Sequence, residues 1–383
     1  MKKLLIFVWL ALGMVLSPAI AQTPPEPNKG IDVQANVDSL KLGFRYDDNV
    51  YRSVFTGSRL SDEVSSLNGG GNLTLRSGQW NAKLDYHLGL DIYQGYINLD
   101  NYKNDFAGLL GFQPGDFSFY YRGDYFIRDS QYYFFNYYET NSVLGALWTP
   151  PGPWSYEAQG GYSTRNYYDF DYAPYAYSGV NDQPVISQFL IQALDYIDQR
   201  ASLSVQREMS DHLTVKLEGR FNDRQFNRNL VAQQGGVLVS LPSFALQEDL
   251  TWTGQLTVRL YFESVLQELT LEGQRTDSNS YGFSNWVQSV SWTGSLRPFP
   301  AFYLQLLARL YTKSYDTTPL PYPGLQVGYV DEESQDVLSL RASWDITSLW
   351  SLSVGTSRMR TESLQPGEFY IKDILSFQLQ RNF

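Results

Sequence analysis

Basic side chains lie between apolar neighbours in several alternating segments of the chain. Arg259 lies between Val258 and Leu260, and Lys216 and Arg220 lie on the same side of another alternating segment. Successive side chains of a strand point to opposite faces, so these charges share one polar face. Where such faces line a water-filled passage, basic groups favour anions. The basic residues that the pattern places on polar faces are Lys41, Arg45, Arg76, Lys83, Arg122, Arg200, Lys216, Arg220, Arg259, Arg309 and Arg341.

Acidic residues on the same faces are fewer. They are Asp85, Asp91, Asp124, Glu157, Glu218 and Glu272. The chain is acidic overall, with a formal net charge of −11, so the excess acid falls to loops and turns. Two interpretations stay open: the basic groups attract anions, or they pair with the acids and brace the wall. The acidic balance argues against a nucleic-acid partner.

The chain has two histidines, and this small number limits the catalytic sites that it could form. His87 shares a polar face with Asp85, and His212 lies in a predicted turn. A hydrolase needs a nucleophile or activated water, a base and an orienting group together, and the sequence offers no such set around His87. We therefore predict no enzyme activity and treat His87 as a polar wall residue.

Metal and cofactor chemistry has equally little support. Asp47, Asp48 and Asn49 could donate oxygens to a divalent cation, but their spacing does not match the alternating acids and closing Glu of a calcium loop. A solvated turn is the simpler interpretation. The sequence contains no cysteine, so disulfides and haem attachment are excluded. We expect no cofactor and no metal.

Two clusters of aromatic residues occupy predicted links, at 132–138 and 167–177. Tyrosine has an apolar ring and a polar tip, which suits a membrane interface and also suits stacking on sugars. The first cluster favours an interfacial girdle. For the second, contact with glycans or folding into the interior is nearly as well supported as ordinary loop packing.

The strands that must position these residues follow from alternation. Residues 80–92 are the clearest case, with Trp80, Leu84 and Leu88 on one face and Lys83 and Asp85 on the other. We predict sixteen strands, near 39–46, 64–76, 80–92, 104–112, 117–127, 140–149, 154–165, 197–207, 213–221, 252–260, 266–276, 286–296, 302–310, 338–344, 349–358 and 368–383.

The links between these strands alternate strictly in length. Short, turn-rich links such as 150–153 and 297–300 alternate with long polar links such as 166–196 and 222–248. Short periplasmic turns opposite long extracellular loops are typical of a transmembrane barrel with both termini in the periplasm. A soluble sandwich would not usually sort its links by length.

Both ends of the chain favour export to the outer membrane. Lys2 and Lys3, the apolar run 4–16 and the small residues at 19–21 predict a signal peptide over 1–21. Residues 22–36 read as a periplasmic leader, and 37–383 as the barrel. The final strand places Leu375, Phe377, Leu379 and Phe383 on one face, similar to the signal by which outer-membrane proteins are recognised for assembly.

The first predicted hairpin, Phe44-Arg45-Tyr46-Asp47-Asp48-Asn49-Val50-Tyr51-Arg52-Ser53, resembles the opening of a broad family of outer-membrane β-barrel porins. The resemblance covers roughly the first third of the chain and is architectural beyond it. It implies a porin-like barrel, in some members associated with exopolysaccharide export. It implies no catalytic residue.

The sequence therefore predicts an all-β, sixteen-stranded antiparallel transmembrane β-barrel in a Gram-negative outer membrane. A barrel this wide leaves an aqueous channel unless loops plug it. Three functions stay open: a porin-like channel for polar or anionic solutes, an export channel for an anionic exopolysaccharide, and a barrel that houses a protein partner. The expected partners are outer-membrane lipid and lipopolysaccharide, the barrel assembly machinery, and small polar solutes or a polysaccharide.

Overall fold

The computed structural model describes eleven stretches of the chain. These are residues 32–48, 61–95, 100–130, 136–167, 176–177, 184–185, 195–230, 246–280, 283–317, 336–362 and 369–383. The predicted signal peptide lies outside them.

The described residues form sixteen long strands and one two-residue pair. The long strands are β1 Asp32–Asp47, β2 Asp62–Ser77, β3 Trp80–Tyr93, β4 Asn101–Phe112, β5 Phe117–Ser130, β6 Tyr137–Trp148, β7 Trp154–Tyr167, β10 Tyr196–Ser210, β11 Leu213–Leu230, β12 Leu246–Phe262, β13 Val265–Ser278, β14 Asn285–Phe299, β15 Phe302–Tyr315, β16 Asp336–Asp345, β17 Trp350–Glu362 and β18 Phe369–Asn382. The short pair is β8 Ala176–Tyr177 and β9 Pro184–Val185.

The long strands close into an antiparallel barrel in which each pairs with its sequence neighbours. Closure joins the first strand to the last, with Leu42 of β1 opposite both Leu67 of β2 and Leu379 of β18. In a closed barrel every strand has a hydrogen-bonded neighbour on both sides, so no strand edge exposes unpaired backbone N–H and C=O groups. Such a sheet can therefore span a bilayer. The predicted fold class and strand number are confirmed.

Short links and long links lie at opposite ends of the barrel. Seven short links lie at one end, called here the short-link end, and eight long links lie at the other, the long-link end. Three of the short links contain a glycine at positive φ, Gly78 at 57°, Gly115 at 65° and Gly152 at 124°. A residue with a Cβ would be strained at these turns.

The outer face of the barrel is apolar. Leu84, Leu144, Leu203, Leu310 and Phe44 are each more than half exposed, although all belong to regular strands. Exposed alternate apolar side chains on a closed sheet are the lipid-facing surface of a transmembrane barrel. No helix among the described residues has the length and apolar character of a membrane span.

Most strands extend beyond the predicted segments, chiefly at the long-link end. The alternating pattern of β11 stops at residue 221, whereas its backbone ladder continues to Gln225, which pairs with Glu248 of β12. Asp223 and Gln225 occupy outward positions that are apolar lower in the strand. Apolar alternation therefore marks the part of a strand that faces lipid, and hydrogen bonding carries the hairpins further.

The first strand also starts earlier than the sequence indicates. β1 begins at Asp32, inside the segment 22–36 that was interpreted as a leader. Its first residues pair with β2 from Asp32 opposite Arg76, and the register shifts between Val37 and Ser39. The bulge moves the outward positions from odd to even numbers, which conceals the alternation in the sequence.

Candidate functional site

The inner wall of the barrel holds the predicted basic residues. Directly paired residues lie on the same face of a sheet, so Lys83, Leu109 and Arg122 share the face opposite the exposed Leu84. The same reasoning places every predicted basic residue inside: Lys41, Arg45, Arg76, Lys83, Arg122, Arg200, Lys216, Arg220, Arg259, Arg309 and Arg341.

Most of these cations contact a carboxylate on the wall. The ion pairs join Lys83 to Asp85 at 2.7 Å, Arg122 to Asp124 at 3.0 Å, Lys216 to Glu218 at 2.8 Å, Arg220 to Glu218 at 2.5 Å, Arg259 to Glu268 at 2.5 Å and Arg309 to Glu272 at 3.8 Å. Arg341 instead donates to the hydroxyl of Ser353 at 3.2 Å. Lys41 lies opposite Asn68 and Gln380.

Within these pairs the cation is the more exposed partner. The side chain of Arg122 is 60% exposed and that of Asp124 is 17% exposed, and the corresponding values are 43% for Arg220 and 17% for Glu218. Lys83, Lys216, Arg259 and Arg309 follow the same order relative to their acids. The carboxylates lie against the wall, and the ammonium and guanidinium groups lie over them, toward the lumen.

Inward-facing glycines let long side chains lie flat against the wall. Gly161 leaves room for Arg200, which crosses over it to reach the amide oxygen of Asn141, and a Cβ at Gly161 would lie 2.8 Å from the Arg200 Nε. Gly145 does the same for the ring of Tyr120, whose hydroxyl donates to Glu157 at 2.7 Å. A flattened side chain occupies less of the lumen than an extended one would.

A second layer of charged groups lies at the long-link end, and sequence reasoning missed most of it. Asp91 contacts Lys103 at 3.1 Å and Arg45 at 3.6 Å, and Asp47 contacts Lys372 at 2.7 Å. The carboxylates of Asp47 and Asp91 are almost completely buried. A charged group in such surroundings requires a close partner, so these contacts brace the rim.

Strands β6, β7, β10 and β11 carry an equivalent cluster at the rim. Glu139 accepts two hydrogen bonds from Arg165, whose guanidinium also lies 4.6 Å from the ring centroid of Tyr137. Arg224 lies 3.5 Å from Asp198 and 4.3 Å from the ring of Tyr196. Glu139 and Arg224 fall in strand extensions that the apolar alternation assigned to links, whereas Arg165 and Asp198 lie near the ends of predicted strands. A continued count of alternate positions from Arg220 would have found Arg224.

His87 and His212, the two histidines considered as catalytic residues, lie among wall and turn residues. Asp85 pairs with Lys83, and His87 lies opposite Gly70 and Asp105, with its imidazole over the glycine. His212 lies in a short link and stacks on Phe262. The described residues contain no group of three or more His, Cys, Asp or Glu able to hold a metal ion.

The acidic run Asp47-Asp48-Asn49, predicted to be a solvated turn, is only partly described. Asp47 contacts Lys372, and the Asp48 carboxylate accepts a hydrogen bond from the backbone N–H of Asp373 at 2.7 Å. Asn49 lies outside the described residues. The two carboxylates thus help to join the first and last strands of the barrel.

The aromatic clusters are also only partly described. Tyr138 faces outward and lies 6.3 Å from the ring of Tyr125, as expected of a girdle, whereas Tyr137 faces inward and is buried. Residues 132–135 lie outside the described residues, as does most of the cluster 167–177, of which the backbones of Tyr167 and β8 are described.

The last strand presents its apolar face to the outside. Leu375, Phe377 and Leu379 are outward and exposed, and Phe383 follows the end of β18. The Arg381 guanidinium lies 4.9 Å from the ring of Phe383 and 5.7 Å from that of Trp350. The predicted assembly residues are therefore on the accessible side of the strand.

Comparison with known proteins supports the fold. No protein-family model and no curated protein sequence matches the chain. The structure is similar to outer-membrane expressed OmpT of Vibrio cholerae, with a TM-score of 0.50 and 9% identity over 94% of this chain and 100% of that chain. The trimer form of in-vitro folded OmpT from the same organism gives 0.50 and 11% identity over 92% and 100%.

An anion-selective porin from Comamonas acidovorans is more distant in structure, with a TM-score of 0.45 and 10% identity over 92% of this chain and 100% of that chain. Identities this low show a fold and nothing finer. At the level of fold, the similarity to OmpT agrees with the resemblance of the first hairpin to porin-like barrels. The chain has the fold of an outer-membrane β-barrel.

Proposed function

We propose that this chain forms a water-filled channel across the outer membrane, through which polar solutes diffuse and anions are favoured. In this proposal the short-link end and both termini face the periplasm, and the long links face outward. The apolar outer wall contacts lipid and lipopolysaccharide, and β18 directs assembly. Transport by diffusion requires no catalytic group and no cofactor.

The dimensions of the barrel support a channel. Small barrels of about 8 strands are filled by their own side chains, whereas barrels of about 16 strands leave space for water. Here sixteen strands enclose an inner wall rich in charged and hydroxyl groups. The flat placement of Arg200 and Tyr120 over inward glycines reduces how far the wall intrudes into the lumen.

The observation that carries the anion preference is the order of exposure within the wall ion pairs. A solute in the lumen meets the guanidinium of Arg122 or Arg220 before it meets Asp124 or Glu218. Opposite charges at contact distance cancel only partly at short range, so the nearer charge decides the local potential. Because salt screens charges beyond about 8 Å, the preference acts where solutes pass close to the wall.

Reversal potentials in planar bilayers test this proposal. With purified wild-type protein under a salt gradient, we expect a conducting channel whose reversal potential lies toward the anion value. Replacing Arg220, Arg259 and Arg309 by Gln should move the potential toward cations, since three exposed inward cations are lost. The matched control replaces the outward-facing Arg275, Arg358 and Arg360 by Gln, and should leave the potential unchanged.

Two results would count against the proposal. An unchanged potential in a conducting triple variant of the inner wall would mean that its cations only brace the barrel. A folded, membrane-inserted wild type without conductance would contradict the open channel, and would favour a plugged barrel or one that houses a partner.

A further inference from the structure

Acidic residues are distributed unevenly around the inner wall. Each of the strands β3–β7 and β10–β13 carries at least one carboxylate at an inward position. These acids are Asp85, Asp91, Asp105, Asp124, Glu139, Glu157, Asp198, Glu208, Glu218, Asp249, Glu268 and Glu272.

The five consecutive strands β14–β18 differ. β14 and β15 contain no Asp or Glu, and the acids of β16 and β17 are their terminal residues. The single acid of β18 is Asp373, which pairs with the outward-facing Arg358. Between the strand ends, the inward side of β14–β18 is therefore an acid-free face.

The charged groups on the acid-free face are all positive. They are Arg309, Lys313, Arg341 and Lys372. Carboxylates reach two of them from neighbouring strands, Glu272 to Arg309 at 3.8 Å and Asp47 to Lys372 at 2.7 Å. Arg341 is exposed, and its partner is the neutral hydroxyl of Ser353.

Small hydroxyl side chains occupy many of the other inward positions of this face. They are Ser289, Ser291, Thr293, Ser295, Ser339, Ser343, Ser351, Ser353, Ser357 and Ser376. A hydroxyl both donates and accepts hydrogen bonds, so it can contact another hydroxyl in either role, as Ser343 and Ser353 do at 2.8 Å. The face therefore combines guanidinium groups with short side chains that donate and accept hydrogen bonds.

The two arginines of the face are so far apart along the strands that a small solute contacts one of them at a time. Arg309 lies opposite Val337, and Arg341, on that same neighbouring strand, lies opposite Gln305. Four residues of offset correspond to about 13 Å along the strands. Ser339 lies between the two cations, and Ser357 of β17 is directly paired with it.

We propose that the acid-free face binds small polyhydroxylated carboxylates, of which glucuronate is the test example. A guanidinium binds the carboxylate through two parallel hydrogen bonds, and the serine hydroxyls bond to the hydroxyls of the ring. On β3–β13 the same solute would approach wall carboxylates that repel it. This inference rests on the proposed channel and adds a substrate class to it.

Block of chloride current provides the test. In planar bilayers with the wild-type protein, increasing glucuronate should reduce chloride conductance in a saturable way. Acetate, which has the carboxylate without the hydroxyls, and glucose, which has the hydroxyls without the charge, should require higher concentrations for the same reduction.

Two double variants separate the contributions of charge and hydroxyl. Replacing Arg309 and Arg341 by Gln should raise the half-blocking glucuronate concentration about fivefold, as expected for loss of a water-exposed charged hydrogen bond. Replacing Ser339 and Ser357 by Ala should reduce the difference between glucuronate and acetate without moving the reversal potential. The matched control replaces Lys216 and Arg220 of β11 by Gln, which removes the same charge four strands away from β15 and should raise the half-blocking glucuronate concentration less.

The outcomes distinguish this inference from the channel itself. Equal block by glucuronate and acetate in a chloride-conducting wild type would overturn the binding face and leave the channel standing. The binding face is also overturned if the Lys216 and Arg220 control raises the half-blocking glucuronate concentration as much as the Arg309 and Arg341 variant. A folded wild type that does not conduct would overturn both.

Discussion

Removal of the Glu218 carboxylate should strengthen the preference for anions. Glu218 contacts Lys216 at 2.8 Å and Arg220 at 2.5 Å, and its side chain is 17% exposed. Glu218→Gln retains the shape and a hydrogen-bond acceptor, and it leaves two neighbouring cations without their shared counter-charge. Stability should change little, because pairs exposed to lumen water contribute about 0.2–1 kcal/mol each.

The size of the effect follows from Coulomb's law. A unit charge about 5 Å from a passing ion in water contributes about 0.8 kcal/mol, which salt screening at a Debye length of about 8 Å reduces to about 0.4 kcal/mol. Loss of the carboxylate should therefore raise the local anion concentration about twofold. In a tenfold salt gradient the reversal potential should move by ~10 mV toward the anion value.

The assay is the reversal potential of single channels, with insertion checked by heat-modifiable migration in gels. The matched control is Glu248→Gln, the same chemical change at an outward position of the neighbouring strand β12, which should have no effect. A folded, conducting Glu218→Gln channel whose potential is unchanged, or moves toward cations, would refute the view that exposed wall charges set selectivity.

Three further predictions concern topology, assembly and the shape of the lumen. An epitope tag inserted at Gly152 should be hidden on intact cells and one between β11 and β12 accessible; surface labelling at Gly152 would reverse the proposed orientation. Replacing Phe377 and Leu379 by Asp should leave unfolded chain in the periplasm, because β18 loses its apolar face, and normal insertion of this variant would contradict that role. Gly145→Leu should lower single-channel conductance, since a Cβ there would collide with the ring of Tyr120 and displace it toward the lumen, whereas Gly160→Leu, with open space on the outer wall, should conduct normally. Equal conductance of the two glycine variants would contradict the role of the inward glycines.

Much of the fold was predictable because its main signals are local. Side chains alternate along a strand whatever its partners are, so Trp80, Leu84 and Leu88 reveal a lipid-facing side without knowledge of the neighbouring strands. Link lengths are equally local, and they indicated sixteen strands with two different ends. The same alternation placed Lys83 and Arg259 on the inner wall.

Strand ends were less predictable for a physical reason. Above the bilayer both faces of a hairpin meet water, so the apolar pattern disappears while the backbone ladder continues, as in β11 beyond residue 221. The bulge in β1 shifted the outward positions and concealed residues 32–37. Several charges of the long-link end, such as Glu139 and Arg224, fell in such extensions and were therefore missed.

The sequence by itself determined the class of the fold, the number of strands and which side chains face inward, since each depends on spacing along one strand. Only the tertiary structure decided the ion pairs that join different strands, such as Arg259 with Glu268, because these depend on register between strands and on closure of the barrel. Asp47 and Lys372, near opposite ends of the described chain, become partners through the pairing of β1 with β18. The order of exposure within each pair also required the structure, because it depends on how the two side chains lie against the wall, even where both belong to one strand, as Arg122 and Asp124 do.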